Sequence, residues 1–158
     1  MSYVFDTNSF RELERFYPDV FRSLWVKLDG LVEKGMILST REVWNELERG
    51  EFAPHLREWL ESKGRDIIFT IPTPEELLFV RDILSIRHFQ SVIENKQLLR
   101  GTPVADPFVI ACAKTRKGTV VTEEKYKPQA PKIPNICEHF GIPCIDLEQL
   151  MQQQKWEF

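Results

Sequence analysis

Two spacings of hydrophobic residues take turns along the chain. Short runs that favour extended backbone predict strands at Ser2-Tyr3-Val4-Phe5, Met36-Ile37-Leu38, Ile67 to Ile71, Gly118 to Thr122 and Pro143-Cys144-Ile145. Between them apolar residues recur every three or four positions, the helical period. Val20, Phe21, Leu24, Trp25, Leu28, Leu31 and Val32 predict an amphipathic helix closed by Gly35, and Val43, Trp44 and Leu47 predict the buried side of another, capped by Ser39 or Thr40. Further helices are expected from Asn8 or Ser9 to Leu13, around Leu56, Trp59 and Leu60, from Pro107 onward, up to Phe140, and from Asp146. A long one opens at Glu75-Glu76 and carries Leu77, Leu78, Ile83, Leu84, Phe89 and Ile93, its acids complementing the N-terminal dipole. Strands alternating with helices in this way predict an α/β fold with a central, mainly parallel sheet and helices on both faces.

Composition limits the classes of function. With 158 residues, 42% of them hydrophobic, the chain can bury a core without disulfides or a structural metal, and we expect a single domain over residues 1–158. An odd number of cysteines, Cys112, Cys137 and Cys144, with no C-x-x-C, points to a reducing compartment. Cys137-x-His139-x4-Cys144 has zinc-ligand residue types but lacks a fourth ligand at usable spacing. No apolar run approaches the roughly 20 residues that span a bilayer, so a soluble, cytoplasmic protein with no membrane partner is expected. A net charge of −3 argues against a simple nucleic-acid coat. The segment from Lys96 to Lys132 is nevertheless net positive, which suits either a solvated basic face or a phosphate-steering rim around an acidic centre.

Candidate chemistry sits where predicted strands end. Asp6 closes the first run, followed by Thr7 and Asn8, and a parallel strand delivers such a residue to the edge where open α/β sheets place their sites. An N-cap is the competing reading for Asp6 or Asn8, as it is for Asp106 before Pro107. Glu46, three residues after Val43 on the helix that follows the second strand, can face the same edge; Glu42 and Glu48 point elsewhere. The β-branched run through Thr122 ends on Glu123-Glu124. Carboxylates converging there repel one another unless a cation neutralises them, and an all-oxygen set without His or Cys favours Mg²⁺ or Mn²⁺, as one ion or two.

The motifs Val4-Phe5-Asp6-Thr7-Asn8, Val43-x-x-Glu46-Leu47, Ala105-Asp106-x4-Ala111-x-Ala113 and Val121-Thr122-x-Glu124 resemble the four acidic motifs of PIN-domain ribonucleases, whose members include VapC-type toxins. The resemblance runs from the N-terminus to about residue 125. It implies a three-layer PIN-like fold and a Mg²⁺- or Mn²⁺-dependent endoribonuclease. Asp6, Glu46 and Asp106 would be the core metal-site acids, with Glu124, or Glu123 beside it, as the fourth. Thr7, Asn8 and Thr122 would orient these ligands, and Lys96, Arg100 and Lys125 would guide the RNA backbone. It also implies the toxin of a toxin-antitoxin pair, with a homodimer and a protein antitoxin as partners. The chain departs from the family in having Glu where the fourth acid is commonly Asp, and in a longer stretch between Glu46 and Asp106, where substrate selection would lie. The alternative is a PIN-like RNA-binding or interaction module without activity. An aspartyl-phosphate phosphohydrolase built on Asp6 fails because the acid/base aspartate it needs two residues on is Asn8.

Overall fold

A computed structural model describes residues 1–100 and 104–158. Its strands are β1 (Tyr3–Phe5), β2 (Ile37–Thr40), β3 (Phe69–Thr70), β4 (Thr119–Val121) and β5 (Cys144–Ile145). Among the described residues they form one parallel sheet in the order β3-β2-β1-β4-β5. The first strand of the chain therefore lies at the centre, with Tyr3 opposite both Ile37 and Thr119, and Phe5 opposite Val121. Every residue of β1 and of β4 is buried, so both faces of the sheet are covered, as parallel sheets require.

The helices are α1 (Thr7–Leu13), α2 (Arg22–Glu33), α3 (Arg41–Arg49), α4 (Pro54–Ser62), α5 (Arg65–Ile68), α6 (Pro74–Leu84), α7 (Arg87–Arg100), α8 (Asp106–Arg116), α9 (Ile133–Phe140) and α10 (Leu147–Gln153). The small residues of α8, with Val109, Ile110, Ala111, Cys112 and Ala113 all buried, let it lie close across β1, β2 and β4. Burial, helped by the Glu76 carboxylate and opposed by the Arg116 guanidinium, pushes the Cys112 thiol up to about 11, so it behaves as an inert core residue. Phe5, Phe10, Phe69 and Trp44 form a chain of ring contacts at 5.1, 5.4 and 5.2 Å from β1 through α1 and β3 to α3. No described helix is long and apolar enough to cross a membrane.

Three expectations are corrected. The strand predicted over Ile67–Ile71 is shorter: Ile67 and Ile68 end α5, because Gly64 adopts φ +94° and its carbonyl accepts from the Ile67 and Ile68 amides, and only Phe69–Thr70 pairs with β2. The long helix expected from Glu75 is two helices. Ser85 ends the first, its hydroxyl donating to the Asp82 carbonyl at 2.6 Å in place of continued backbone pairing. On that first helix, α6, Leu77 and Leu78 are about half exposed, at 50% and 53%. The inward face carries Glu76, Val80 and Ile83 instead, since Glu76 forms a capping box with Thr73, meets Arg116 at 3.7 Å and accepts from Thr115.

The central position of β1 is tightest where β4 begins. A methyl group on Gly118 would stand 2.6 Å from the Ser2 hydroxyl and 2.8 Å from the Ser2 carbonyl, whereas one on Gly30, inside α2, meets nothing within 4 Å. Gly118→Ala should therefore lower unfolding stability by about 1–3 kcal/mol. Gly30→Ala should raise it by about 0.5–1 kcal/mol. Urea midpoints measured at unchanged slope check both signs.

Candidate functional site

From β1 the chain builds outward to β2, and from β4 outward to β5, in opposite directions across the sheet. A crevice opens at the carboxyl ends of two such strands. The Asp6 amide continues the ladder by donating to the Val121 carbonyl at 2.9 Å, which fixes Asp6 at the crevice floor. Asp6 occupies the N-cap position of α1, and its carbonyl accepts from the Ser9 and Phe10 amides, yet its side chain makes no capping hydrogen bond. Asp106 is the first residue of α8, one position after the N-cap Ala105. Both carboxylates face the cleft, as do Glu46 and Glu124. The cleft encloses about 490 Å³ and is also lined by Thr7, Asn8, Arg11, Arg49 and Gly50.

Each acid is aimed by a neighbour. The Thr7 hydroxyl donates to Glu46 Oε2 at 2.6 Å, and the Ala105 amide donates to Glu46 Oε1 at 2.9 Å. The Ile133 amide, at the start of α9, donates to Glu124 Oε2 at 2.8 Å. The Thr122 hydroxyl lies 3.3 Å from Asp6 Oδ2 and 3.2 Å from Asn8 Oδ1, and accepts from the Glu124 amide. Asn8 Oδ1 also accepts from the Glu123 amide at 2.9 Å, so Asn8 and Thr122 clamp the turn after β4 against the start of α1.

Glu123 does not line the cleft. Its Oε1 accepts from the Leu147 amide at the start of α10, and burial holds its carboxyl above the ordinary range, opposed by that amide bond. Lys125 is drawn away to Asp146 at 2.8 Å, a hydrogen bond that raises the ammonium's own pKa. The Arg100 side chain lies outside the described residues. Lys96, read from sequence as part of an RNA-guiding rim, is instead inserted into the acid cluster. Its Nζ lies 2.9 Å from Asp106 Oδ2 and 3.9 Å from Glu124 Oε1, with 22% of the side chain exposed.

Sequence reasoning missed Arg11 and Arg49 in the cleft wall. Their signal is helical spacing, since Arg11 stands four residues after Thr7 and Arg49 three after Glu46. Arg11 is tied down by Glu14 at 3.0 Å and by the carbonyls of Leu47 and Glu51, which joins α1 to the end of α3. Arg49 is exposed and has no ion-pair partner among the described residues.

The electrostatics are those of crowded like charges. Asp6 is 4% and Asp106 6% exposed. Burial raises the Asp6 carboxyl well above its ordinary range, and repulsion from Asp106, Glu124 and Glu46 adds to this against the lowering effect of the Thr7 amide. As the side chains stand, no three Asp, Glu, His or Cys groups among the described residues close on one point at metal-ligand distance. Among the described residues, the Lys96 ammonium is a cation set against these carboxylates. The donor set of carboxylate, hydroxyl and amide oxygens suits a hard divalent ion such as Mg²⁺ or Mn²⁺. The zinc-like triple is not assembled, because the His139 ring packs edge-on against Phe89 and Phe140.

A family model described as a domain of unknown function, DUF4411, matches residues 3–158. No curated protein matches. Among solved structures, the chain is similar to one in the crystal structure of VapBC2 from Rickettsia felis bound to a DNA fragment from their promoter. The two are 14% identical with a TM-score of 0.50, over 92% of this chain and 98% of that one. A chain of VapBC-1 from nontypeable Haemophilus influenzae is 12% identical with a TM-score of 0.45, over the same shares. The first likeness shows a shared fold, the PIN-like arrangement of a parallel sheet between helices.

The raised Asp6 pKa fixes a sign. The folded chain keeps the Asp6 proton over a pH range in which the unfolded chain has lost it, so stability falls as pH rises from about 4 through the higher folded value. Asp6→Asn removes that loss. In EDTA, melts from pH 4 to 8 should show the variant several degrees more stable than wild type at neutral pH, with the gap closing toward pH 4.

Proposed function

This chain belongs to DUF4411, a domain of unknown function, and from its cleft we propose that it is a metal-dependent endoribonuclease, one PIN-like domain over residues 1–158. The observation that carries this reading is that Asp6, Glu46, Asp106 and Glu124 line one buried-floored cleft. These four acids, drawn from the residue after β1, α3, α8 and the turn after β4, would hold one or two Mg²⁺ or Mn²⁺ ions. Such ions, when bound, activate a water and stabilise the leaving oxygen in phosphodiester hydrolysis. Thr7 keeps Glu46 turned toward the site, and Asn8 with Thr122 holds Asp6 and Glu124 at fixed separation. Arg49, on the cleft wall, supplies a positive charge to an RNA phosphate. Glu123, whose carboxylate accepts from the amide at the start of α10, is left out of this reading.

The likeness in fold to a chain of a VapBC complex supports a role as the toxin of a toxin-antitoxin pair, working as a homodimer whose cleft a protein antitoxin closes. Incubation of the purified protein with structured and unstructured RNA tests the chemistry. Cleavage should need Mn²⁺ or Mg²⁺ and stop on EDTA addition. Asp106→Asn and Glu46→Gln should reduce it by more than about 100-fold, beyond the roughly 10–100-fold loss expected for the supporting residues in Thr7→Val or Asn8→Ala. Glu123→Gln should stay close to wild type. If no RNA is cut by the metal-loaded wild type, the enzyme reading falls and an interaction module takes its place.

A further inference from the structure

Among the described residues, Lys96 is the cation whose charged end stands against the acid cluster, and it comes from α7, a helix that carries none of the four acids. We propose that Lys96 is a built-in counter-ion which a divalent cation must displace, so that α7 sets the metal affinity of the cleft; this rests on the metal-site reading above.

The ammonium lies 2.9 Å from Asp106 Oδ2 and 3.9 Å from Glu124 Oε1, and both carboxylates press on Asp6. Removing this positive charge without replacement leaves buried carboxylates facing one another. Asp106 and Glu124 would hold a hard divalent ion through these same carboxylate oxygens. A lysine nitrogen hydrogen-bonded to the same oxygens would then face it at close range, and two cations so placed repel strongly. One must leave, and the lysine is built to do so. Its long flexible stem reaches in from outside the cluster, whereas the acids are fixed at strand and helix ends. The helix also permits the exchange. Phe89 and Ile93 are buried and anchor the first half of α7, while Leu98 and Leu99 on its last turn are strongly exposed, so these two side chains do not pin that turn to the core.

Isothermal titration of Mn²⁺ and thermal melts with and without Mn²⁺ test this on wild type, Lys96→Met and Lys96→Arg, with Asp106→Asn as the control for site occupancy. Lys96→Met should bind Mn²⁺ about tenfold or more tightly than wild type. It should melt lower in EDTA and show a larger rise in Tm on adding the metal. Lys96→Arg, which keeps the positive charge, should stay near wild-type affinity. If wild type binds Mn²⁺ and Lys96→Met binds equally or more weakly, the counter-ion role is overturned and the metal site stands. If Mn²⁺ binds to neither, both readings fall. A purely structural lysine would lower the melting temperature on substitution without tightening the metal.

Discussion

Repulsion between carboxylates at the ends of β1 and β4 is the constraint on which the cleft depends. Parallel strands expose side chains at their carboxyl ends beside the first turns of the following helices, and here acids reach that edge from four separate elements. Burial of Asp6 and Asp106 makes the repulsion stronger than it would be on a surface, because little water is present to screen it. The surroundings answer it with amides, hydroxyls and one inserted ammonium. Each of these is a donor, and each fixes an acid in place as it relieves it.

That double duty explains the economy of the site. Glu46 joins α3 to α1 through Thr7 and to the start of α8 through the Ala105 amide. Glu124 satisfies an amide at the start of α9, where a helix otherwise leaves its first N–H groups without partners. Asn8 and Thr122 stitch the turn after β4 to the helix after β1. The acids are thus splices between secondary-structure elements as well as charges, and their side chains are held before any ligand arrives.

The alternation of strand and helix was legible because buried parallel strands are short β-branched or aromatic runs, such as Thr119-Val120-Val121, and because Thr40 caps α3 where the pattern requires it. The placement of Asp6, Glu46, Asp106 and Glu124 was legible for the same reason, since a residue that follows a buried strand has one edge to go to. What failed was residue preference overruled by turns, caps and neighbouring elements. Ile67 to Ile71 has strand composition, but a turn at Gly64 winds its first residues into α5. Leu77 and Leu78 carry a helical period, yet a capping box and Arg116 draw the acidic side of α6 inward. The choice between Glu123 and Glu124 needed the position of α10, and the insertion of Lys96 needed the placement of α7 beside α8. Neither follows from spacing along the chain.

The strand order carries a consequence in time. β1 precedes the other strands of the sheet in sequence yet lies in its middle, and its neighbour on one side is β4. The hydrogen bond between Asp6 and Thr122 spans 116 residues of sequence. A growing chain on the ribosome therefore carries Asp6 with one flank of β1 unpaired, and no crevice beside it, until β4 has been made. The cleft closes only once the segment bearing Glu124 has been made, so chains cut short before it hold the first acids of the site but never the site itself.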